Sequence, residues 1–158
     1  MEKTRQGGVR ALDHQSLSQH DILEGSVDDL KRPLVRIELP GFSDPLVAFI
    51  DTGFNGAVLM DEPQASRLGF RIFPHQAQVK LASQREENFL LGRGVFPWLG
   101  ERKSITAYVL IETQDERRTR VARKTEEEIL VGTELLSDCR LEIDFPSRRV
   151  KVTRVDSR

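Results

Sequence analysis

The most informative segment of the sequence is LVAFIDTG, residues 46–53. Its apolar residues 46–50 are uninterrupted, which predicts a strand that is buried on both faces. This strand runs directly into Asp51, so a carboxylate lies at the edge of the core, where solvent access and hydrogen bonds set its pKa. Gly53 allows another backbone segment to approach closely. Taken alone, Asp-Thr-Gly is also typical of an ordinary turn. The rest of the chain must therefore decide between an ordinary turn and a functional carboxylate.

A second apolar segment that contains a glycine, ILVGTELL, occupies residues 129–136. Its order predicts a short strand, then Gly132, then a short helix from Glu134 to Ser137. By itself, a glycine in this place is typical of any boundary between a strand and a helix. With Asp51 upstream, we predict that Gly132 belongs to the same site as Asp51.

Other segments predict a mainly β fold with two short helices. Asp61 is suited to cap the first helix, Pro63 to its first turn and Gly69 to its end. Strands are predicted at 34–39, 78–81, 89–91 and 105–111, and in a closing pair in which Leu141, Ile143 and Phe145 face Val150 and Val152. The polar residues 83–88 predict the turn of a projecting hairpin.

Length and composition predict one domain with a loose N-terminal segment. The 158 residues are enough for one ordinary hydrophobic core. Residues 1–29 are polar, contain glycines and show little periodicity, so we expect a flexible arm there and the folded domain at residues 30–156.

The charges nearly cancel, with 24 Lys and Arg against 25 Asp and Glu, so no overall field favours nucleic acid or an anionic membrane. The basic run at residues 117–124 could bind RNA. Acidic residues 126–128 follow it, however, and no aromatic residues are interleaved for base stacking, which favours a solvated loop. No apolar run is long enough to cross a bilayer, and residues 1–15 lack the apolar core of a secretory signal, so a cytoplasmic location is expected.

Few side chains offer other chemistry. Cys139 is the single cysteine of the sequence, so it cannot form an intrachain disulfide, and we interpret it as a packing residue. His14, His20 and His75 lack both metal-ligand spacing and a nucleophile partner, so neither a metal site nor a catalytic triad is expected.

The two glycine-containing motifs together resemble the retroviral-type (retropepsin-like) aspartic proteases. More closely, they resemble the predicted bacterial and archaeal aspartyl proteases of the same clan, clan AA. Residues 49–53 are similar to the family's catalytic strand, and residues 130–136 to the later apolar-apolar-glycine element that crosses near the active site. The resemblance extends from Gly25 to Val155. It departs from the retroviral pattern at residues 54–56, which read Phe-Asn-Gly.

The resemblance implies an all-β, retropepsin-like acid protease barrel with two short helices, one lobe per chain, that is active as a homodimer. It implies that Asp51 of each subunit forms a catalytic pair around one water, with no metal and no cofactor. Thr52, Gly53 and Gly132 would support this pair. The closing hairpin, residues 141–155, is the expected dimer sheet.

The resemblance also implies how an extended peptide or protein substrate binds. Backbone around Gly53 and Asn55 would hold the peptide as an added strand, and a hairpin with its tip near Ala82 and Ser83 would close over it. The expected function is therefore an aspartic endopeptidase. The alternative is a catalytically inactive module of the same fold that dimerises or binds peptides. The intact triplet favours the protease, because a binding module has no physical need for a pair of like charges.

Overall fold

The computed structural model describes residues 21–80, 86–111, 115, 118 and 129–155, and describes residues 75–80 and 86–88 by their backbone alone. Ten strands and two short helices have described bounds. The strands are β1 (Ile22–Val27), β2 (Pro33–Ile37), β3 (Leu46–Ile50), β4 (Val58–Asp61), β5 (Arg71–Lys80), β6 (Glu86–Trp98), β7 (Glu101–Leu110), β8 (Ile129–Val131), β9 (Cys139–Asp144) and β10 (Arg149–Arg154). The helices are α1 (Glu62–Arg67) and α2 (Thr133–Leu136). The predicted mainly β class with two short helices is confirmed.

The ten strands form one sheet, in the order β5-β6-β7-β4-β8-β3-β2-β1-β10-β9. Two of its pairs are parallel, β3 with β8 and β4 with β7, and the others are antiparallel. The order has two ends, β5 and β9. The strand pairs among the described residues therefore leave the sheet open, and they do not close it into the predicted barrel.

The centre of the core lies on four neighbouring strands of this sheet. Val58 of β4, Val131 of β8, Ala48 of β3 and Val35 of β2 are all completely buried. Burial of apolar surface is worth about 25 cal/mol per Å², so these residues help to hold the four strands together. Asp51 follows directly on one of them.

The short strand β8 lies between β3 and β4. Val131 is its last residue, and it is paired with Ile50 on one side and with Val58 on the other. The segment between β3 and β4, residues 51–57, must therefore pass around the end of β8. This arrangement brings residue 132 and the start of α2 against that segment.

The N-terminal boundary of the domain lies earlier than the sequence predicts. Residues 22–27, which we assigned to the flexible arm, form β1, and β1 pairs with both β2 and β10. Gly25 indicated flexibility in the sequence, but a Cβ at this position would lie 1.9 Å from the carbonyl oxygen of Leu34. The glycine thus permits a close approach between β1 and β2, and that part of the arm prediction is wrong. The first 20 residues lie outside the described part of the chain.

Helix α1 follows the signals in the sequence. The Asp61 carboxylate accepts a hydrogen bond of 2.8 Å from the backbone N–H of Gln64, and so caps the helix as predicted. Pro63 lies in the first turn, and Gly69, just beyond the end, has a φ of +73°. Within the described ranges, no helix has the length and apolar character needed to span a membrane.

Two predicted hairpins are present. Strands β5 and β6 pair as far as Lys80 with Glu86, whereas the tip between them lies outside the described residues. Strands β9 and β10 pair Leu141 with Val152 and Ile143 with Val150, as predicted. Phe145 does not join them: it lies beyond the end of β9, and 51% of its surface is exposed.

Candidate functional site

The backbone of Asp51 is held by β8. The amide of Asp51 donates a 2.9 Å hydrogen bond to the carbonyl oxygen of Val131, which continues the parallel pairing of β3 with β8 by one residue. The carbonyl oxygen of Asp51 accepts a 3.2 Å bond from the amide of Phe54, so the chain turns directly after the strand. Hydrogen bonds at both the amide and the carbonyl group of Asp51 thus fix its backbone position.

The side chain of Asp51 is half-buried and is oriented by its own loop. Its Oδ1 atom accepts a 2.9 Å hydrogen bond from the amide of Gly53. A Cβ on Gly53 would lie 3.2 Å from the same oxygen, which is closer than most contacts of a real Cβ. Glycine therefore lets the amide approach the carboxylate without crowding it.

The rest of the segment alternates between solvent and core. Thr52, Gly53 and Asn55 are exposed, whereas Phe54 and Gly56 are buried. The exposed positions lie on the same loop as the Asp51 carboxylate. The loop is thus anchored by its buried residues and presents its polar groups outward.

Gly132 and the start of α2 pack directly against this loop. The amide of Gly132 donates to the carbonyl oxygen of Ala57, and that of Thr133 to the carbonyl oxygen of Phe54, both at 2.9 Å. The Thr133 hydroxyl adds a 3.3 Å bond to the same Phe54 oxygen. A Cβ on Gly132 would lie 2.2 Å from the carbonyl oxygen of Gly56, so no other residue fits here without a backbone shift. The two sequence motifs thus meet at one place.

Sequence reasoning missed Thr133 and Gly56. Thr133 follows Gly132 and cross-links the two motifs with both its amide and its hydroxyl. Gly56 has no room for a side chain, because a Cβ there would lie 2.5 Å from the Phe54 ring and 2.7 Å from the Tyr108 ring. The signal for Gly56 was present in the sequence as a second glycine shortly after Asp51.

An aromatic cluster lies beneath the loop. The rings of Phe54 and Tyr108 meet edge to face, with their centroids 5.6 Å apart and an interplanar angle of 79°. The Tyr108 ring makes a second contact of this kind with Phe89 of β6, at 6.1 Å and 85°. Sequence analysis did not single out any of these three residues as part of the site.

An ion pair of Arg32 and Asp28 lies at the same end of the sheet as Asp51. Leu34 pairs with Phe49, so the turn that precedes β2 lies beside the end of β3. In this turn Asp28 accepts two 2.8 Å hydrogen bonds from Arg32, and the Arg32 guanidinium lies 4.1 Å from the centroid of the Phe49 ring. Burial acts to raise the pKa of the Asp28 carboxyl, but the bonds and charge of Arg32 outweigh it, so that this pKa is lowered.

Two predicted site residues cannot be related to this geometry. Ala82 and Ser83, the predicted tip of the projecting hairpin, lie outside the described residues.

Of the described residues, no group of His, Cys, Asp or Glu side chains is arranged to hold a metal ion. The chemistry of the Asp51 loop is that of one carboxylate, held by hydrogen bonds and next to exposed backbone. Neither a scan against protein-family models nor a search of the curated proteins finds a match to this chain.

Proposed function

We propose that this protein is a retropepsin-like aspartic endopeptidase, active as a homodimer in which each subunit contributes Asp51. The observation that carries the proposal is the junction of the two motifs. Asp51 is hydrogen-bonded to Val131, and the loop that follows it is hydrogen-bonded to Gly132 and Thr133. The Asp51 carboxylate accepts a further bond from the amide of Gly53. A catalytic carboxylate requires this kind of support, because its geometry must be set before the substrate binds.

The need for a second subunit follows from chemistry. Activation of water by carboxylates uses one group as a base and another as an acid, and the sequence contains Asp-Thr-Gly once. A twofold axis next to Asp51 would supply the second carboxylate. Thr52 and Gly53 are exposed on the loop and are therefore available for contact with their symmetry mates.

Strand β9 supports the same assembly. It pairs with β10 on one side, and the described residues give it no partner on the other. Its exposed side chains, Arg140, Glu142 and Asp144, alternate with half-buried ones. Antiparallel pairing of β9 with its copy would extend the sheet across the dimer and satisfy the open edge. The hairpin β9–β10 thus remains our choice for the dimer sheet.

In the proposed reaction the two Asp51 carboxyls share one proton, because two carboxylates in contact do not both ionise readily. The ionised Asp51 accepts a proton from the water as its oxygen attacks the peptide carbonyl carbon. The protonated Asp51 gives its proton to the carbonyl oxygen, so that a neutral gem-diol forms. The gem-diol then collapses: the newly ionised Asp51 accepts a proton from one of its hydroxyls, the C–N bond breaks, and the newly protonated Asp51 gives its proton to the amine nitrogen.

The substrate is an extended segment of peptide or protein. Backbone groups of Gly53 and Asn55 lie on the exposed side of the loop, where they could hold such a segment by main-chain hydrogen bonds. The hairpin of β5 and β6 is the proposed cover for the bound peptide, and Ala82 and Ser83, its predicted tip, lie outside the described residues. Neither element requires a cofactor.

The decisive experiment is to mix subunits. Wild-type protein and Asp51→Asn are unfolded together, refolded at varied ratios and assayed for cleavage of a pooled peptide library, with the mass measured by light scattering. If each active dimer needs two intact Asp51 residues, the activity is proportional to the square of the wild-type fraction. An equal mixture then retains about a quarter of the wild-type activity. Asp44→Asn is the matched control, since Asp44 is exposed in the loop between β2 and β3. Mixtures with this variant should keep full activity.

Two results would oppose the proposal. A linear fall of activity with the fraction of Asp51→Asn would mean that one chain is a complete catalyst. Absence of cleavage by wild-type dimers at every pH from acidic to neutral would favour the inactive dimerisation or peptide-binding module, which should still bind extended peptides when Asp51 is replaced.

A further inference from the structure

Strand β9 lies at one end of the sheet, and the hydrogen bonds around it show which backbone groups its outer edge presents. The amide of Val155 donates a 2.8 Å bond to the carbonyl oxygen of Asp138, so these residues form a hydrogen-bonded pair directly before the start of β9. In an antiparallel ladder, bonded and non-bonded pairs alternate, so the even-numbered residues of β9 bond to β10. The outer edge therefore carries the N–H and C=O groups of the odd-numbered residues, Cys139, Leu141 and Ile143.

A hydrogen bond on the other side of β10 agrees with this assignment. The amide of Val27 donates to the carbonyl oxygen of Arg148 at 3.1 Å, directly before the start of β10. The even-numbered residues of β10 therefore bond to β1, and its odd-numbered residues are left to bond to β9. The odd-numbered residues of β10 face the even-numbered residues of β9, as the first assignment requires.

Twofold symmetry limits how this edge can pair with its copy. The axis between two antiparallel strands stands perpendicular to the sheet, so each face of the sheet continues on the same side in the second copy. Residues that face each other must therefore both be odd-numbered or both be even-numbered, and the bonded pairs must be odd-numbered. Two registers meet this condition and keep most of β9 paired: either Leu141 or Glu142 faces its own copy.

The backbone favours the register centred on Leu141. Cys139 then faces Ile143 of the second copy, and all the outward N–H and C=O groups of β9 have partners. In the register centred on Glu142, Cys139 faces Phe145 of the second copy, which lies beyond the end of β9. The outward groups of Cys139 then stay unpaired, and backbone groups without partners in an interface cost free energy.

The exposed side chains favour the same register. When Leu141 is central, Arg140 of each copy faces Glu142 of the other, so symmetry makes two ion pairs. They lie in non-bonded pairs, in which opposing side chains are closest. When Glu142 is central, it faces its own copy, and like charges directly opposite each other are destabilising.

Neighbours within one chain leave these two charges available. Arg140 faces Thr153 of β10, which is uncharged. Glu142 faces Lys151, but Lys151 also faces Glu24 of β1, so one cation lies between two carboxylates. A second cation next to Glu142 is therefore favourable.

The register centred on Leu141 also brings Asp144 opposite Asp138 of the second copy. Each of these carboxylates has a cation beside it in its own chain: Lys103 lies 3.1 Å from Asp138, and Arg149 faces Asp144. Both are therefore partly compensated before the copies meet, and they lie at the two ends of the paired segment, where solvent screens their charges.

We propose that β9 pairs with β9 of a second copy in the register that places Leu141 opposite Leu141, and that two ion pairs of Arg140 with Glu142 select this register. The outer edge of β9 is then a self-complementary surface whose partner is this same chain. The inference rests on the homodimer of the proposed function, but neither of its tests requires cleavage.

Cysteine cross-linking tests the register. In a Cys139→Ser background, Leu141→Cys should form a disulfide-linked dimer on mild oxidation, because bonded pairs lie about 5.5 Å apart at Cα. Glu142→Cys should stay unlinked, because its copy is offset by two residues and lies about 8 Å away. Ile143→Cys is the matched control: it is half-buried like Leu141, and should also stay unlinked. Non-reducing gel electrophoresis measures the linkage.

Mixing of charge variants tests the ion pairs. Arg140→Glu and Glu142→Arg should each raise the dimer Kd about tenfold at low salt, because each homodimer then contains two like-charge pairs. An equal mixture of the two should dimerise almost as well as wild type, since in the mixed dimer every acidic side chain at these positions faces a basic one. Analytical ultracentrifugation measures the Kd, and native mass spectrometry identifies the mixed dimer.

A pair of neutral variants is the matched control for the charges. Glu142→Gln should raise the dimer Kd about fivefold. Asp144→Asn should leave it within about twofold, because this register gives Asp144 no basic partner in the second copy. The asparagine also retains an oxygen that can accept the bond from the amide of Ser147. In the register centred on Glu142, Asp144→Asn would instead remove two ion pairs.

The results separate this inference from the proposed function. Linkage through Glu142→Cys and not Leu141→Cys, or a mixture that dimerises no better than its two components, overturns the register even if the protein cleaves peptides. A wild-type chain that remains a monomer at high concentration also overturns it. Linkage through Leu141→Cys with recovery in the mixture, in a protein that cleaves nothing, supports the register while the proposed function fails.

Discussion

The amide nitrogen of Asp51 lies 2.9 Å from the carbonyl oxygen of Val131, and this hydrogen bond joins the end of β3 to the end of β8. The two residues belong to the two sequence motifs on which the resemblance to aspartic proteases rests. Their bond is the first of a series that continues through Gly132 and Thr133 to the far side of the loop. The loop around Asp51 therefore depends on residues that follow it at a distance in the chain.

We expect Gly132→Ala to be strongly destabilising. The new Cβ would lie 2.2 Å from the carbonyl oxygen of Gly56, a backbone atom that cannot swing away, so the cost should be about 3 kcal/mol of unfolding free energy or more. Urea unfolding followed by circular dichroism measures this cost. Gly41→Ala is the control, because Gly41 has open space around it but a φ of +86°, and should cost only about 1–2 kcal/mol. Equal losses for the two variants would contradict the tight junction.

The position of β1 predicts how far the N-terminus can be shortened. A chain that begins at residue 21 retains β1 and the ion pair between Asp21 and Arg154, so its Tm should match that of the full chain within a few degrees. A chain that begins at residue 30 loses the strand between β2 and β10, and should fail to unfold cooperatively. Differential scanning calorimetry distinguishes the two. A cooperative transition in the shorter chain would mean that β1 is dispensable.

The ion pair of Lys103 and Asp138 predicts an acid-dependent contribution to stability. Burial acts to raise the pKa of the Asp138 carboxyl, but hydrogen bonds from Lys103 and Cys139 and the Lys103 charge outweigh it, so the folded-state pKa is lowered. A lowered pKa in the folded state stabilises the fold above the unfolded pKa of about 4, and this contribution is lost as pH falls through the folded value. Asp138→Asn should therefore cost up to about 1 kcal/mol at pH 7, and progressively less below pH 4.

The matched control for this prediction is Asp29→Asn. Asp29 pairs with Arg148 at 2.9 Å, but its side chain is 91% exposed, against 33% for Asp138. An exposed pair contributes little, so Asp29→Asn should be almost neutral at both pH values. Urea midpoints measured at pH 7 and at pH 3 test the pair of variants. A loss for Asp138→Asn that is the same at both values would contradict the assignment.

Cys139 should react slowly with alkylating reagents. Burial, then the hydrogen bond to Asp138 and the charge of that carboxylate, raise the pKa of the Cys139 thiol to about 11. Since the thiolate is the reactive form, carbamidomethylation of the folded protein, measured by mass spectrometry, should be slow at pH 8 and should accelerate towards pH 11. Asp138→Asn should increase the rate at pH 8, because it removes the nearby negative charge. A folded protein that reacts as fast as the urea-unfolded chain at pH 8 would contradict this.

The same thiol should make the stability of the fold depend on pH in the alkaline range. Between the ordinary pKa of 9.0 and the folded value of about 11, the folded state retains a proton that the unfolded chain has lost. The contribution of Cys139 to the unfolding free energy should therefore fall as pH rises through this window. In Cys139→Ala this part of the pH dependence should be absent, and urea unfolding at pH 8, 9.5 and 11 provides the comparison.

Local patterns predicted those parts of the fold that they determine by themselves. The cap at Asp61 and the pairing of Ile143 with Val150 follow from residues close together in the chain, and both are present. The residue pattern placed β1 in the flexible arm, because Glu24, Gly25 and Ser26 interrupt its apolar residues and its partners, β2 and β10, could not be recognised from its own sequence. Phe145 was assigned to a strand on its apolar character, but the chain turns before it.

The candidate site shows the same limit. Asp51 and Gly132 were linked through their motifs, and the hydrogen bonds from Gly132 and Thr133 to residues 54 and 57 bring the two segments together. The catalytic role of Asp51 stays a prediction. Tyr108 could not be predicted, because in the sequence it is one apolar residue among several in a strand. Its contacts with Phe54 and Phe89 arise only when β4, β6 and β7 lie side by side.

The position of β8 between β3 and β4 has a consequence for how the protein is made. The ribosome adds Asp51 to the chain long before Val131. Until Val131, Gly132 and Thr133 have been added, the loop around Asp51 lacks these hydrogen-bond partners. Contacts between residues so distant in sequence also form slowly, since a long loop must close first. The loop around Asp51 therefore cannot take its final shape until residues 131–133 have been synthesised, and in the growing chain its carboxylate is held only by the residues next to it.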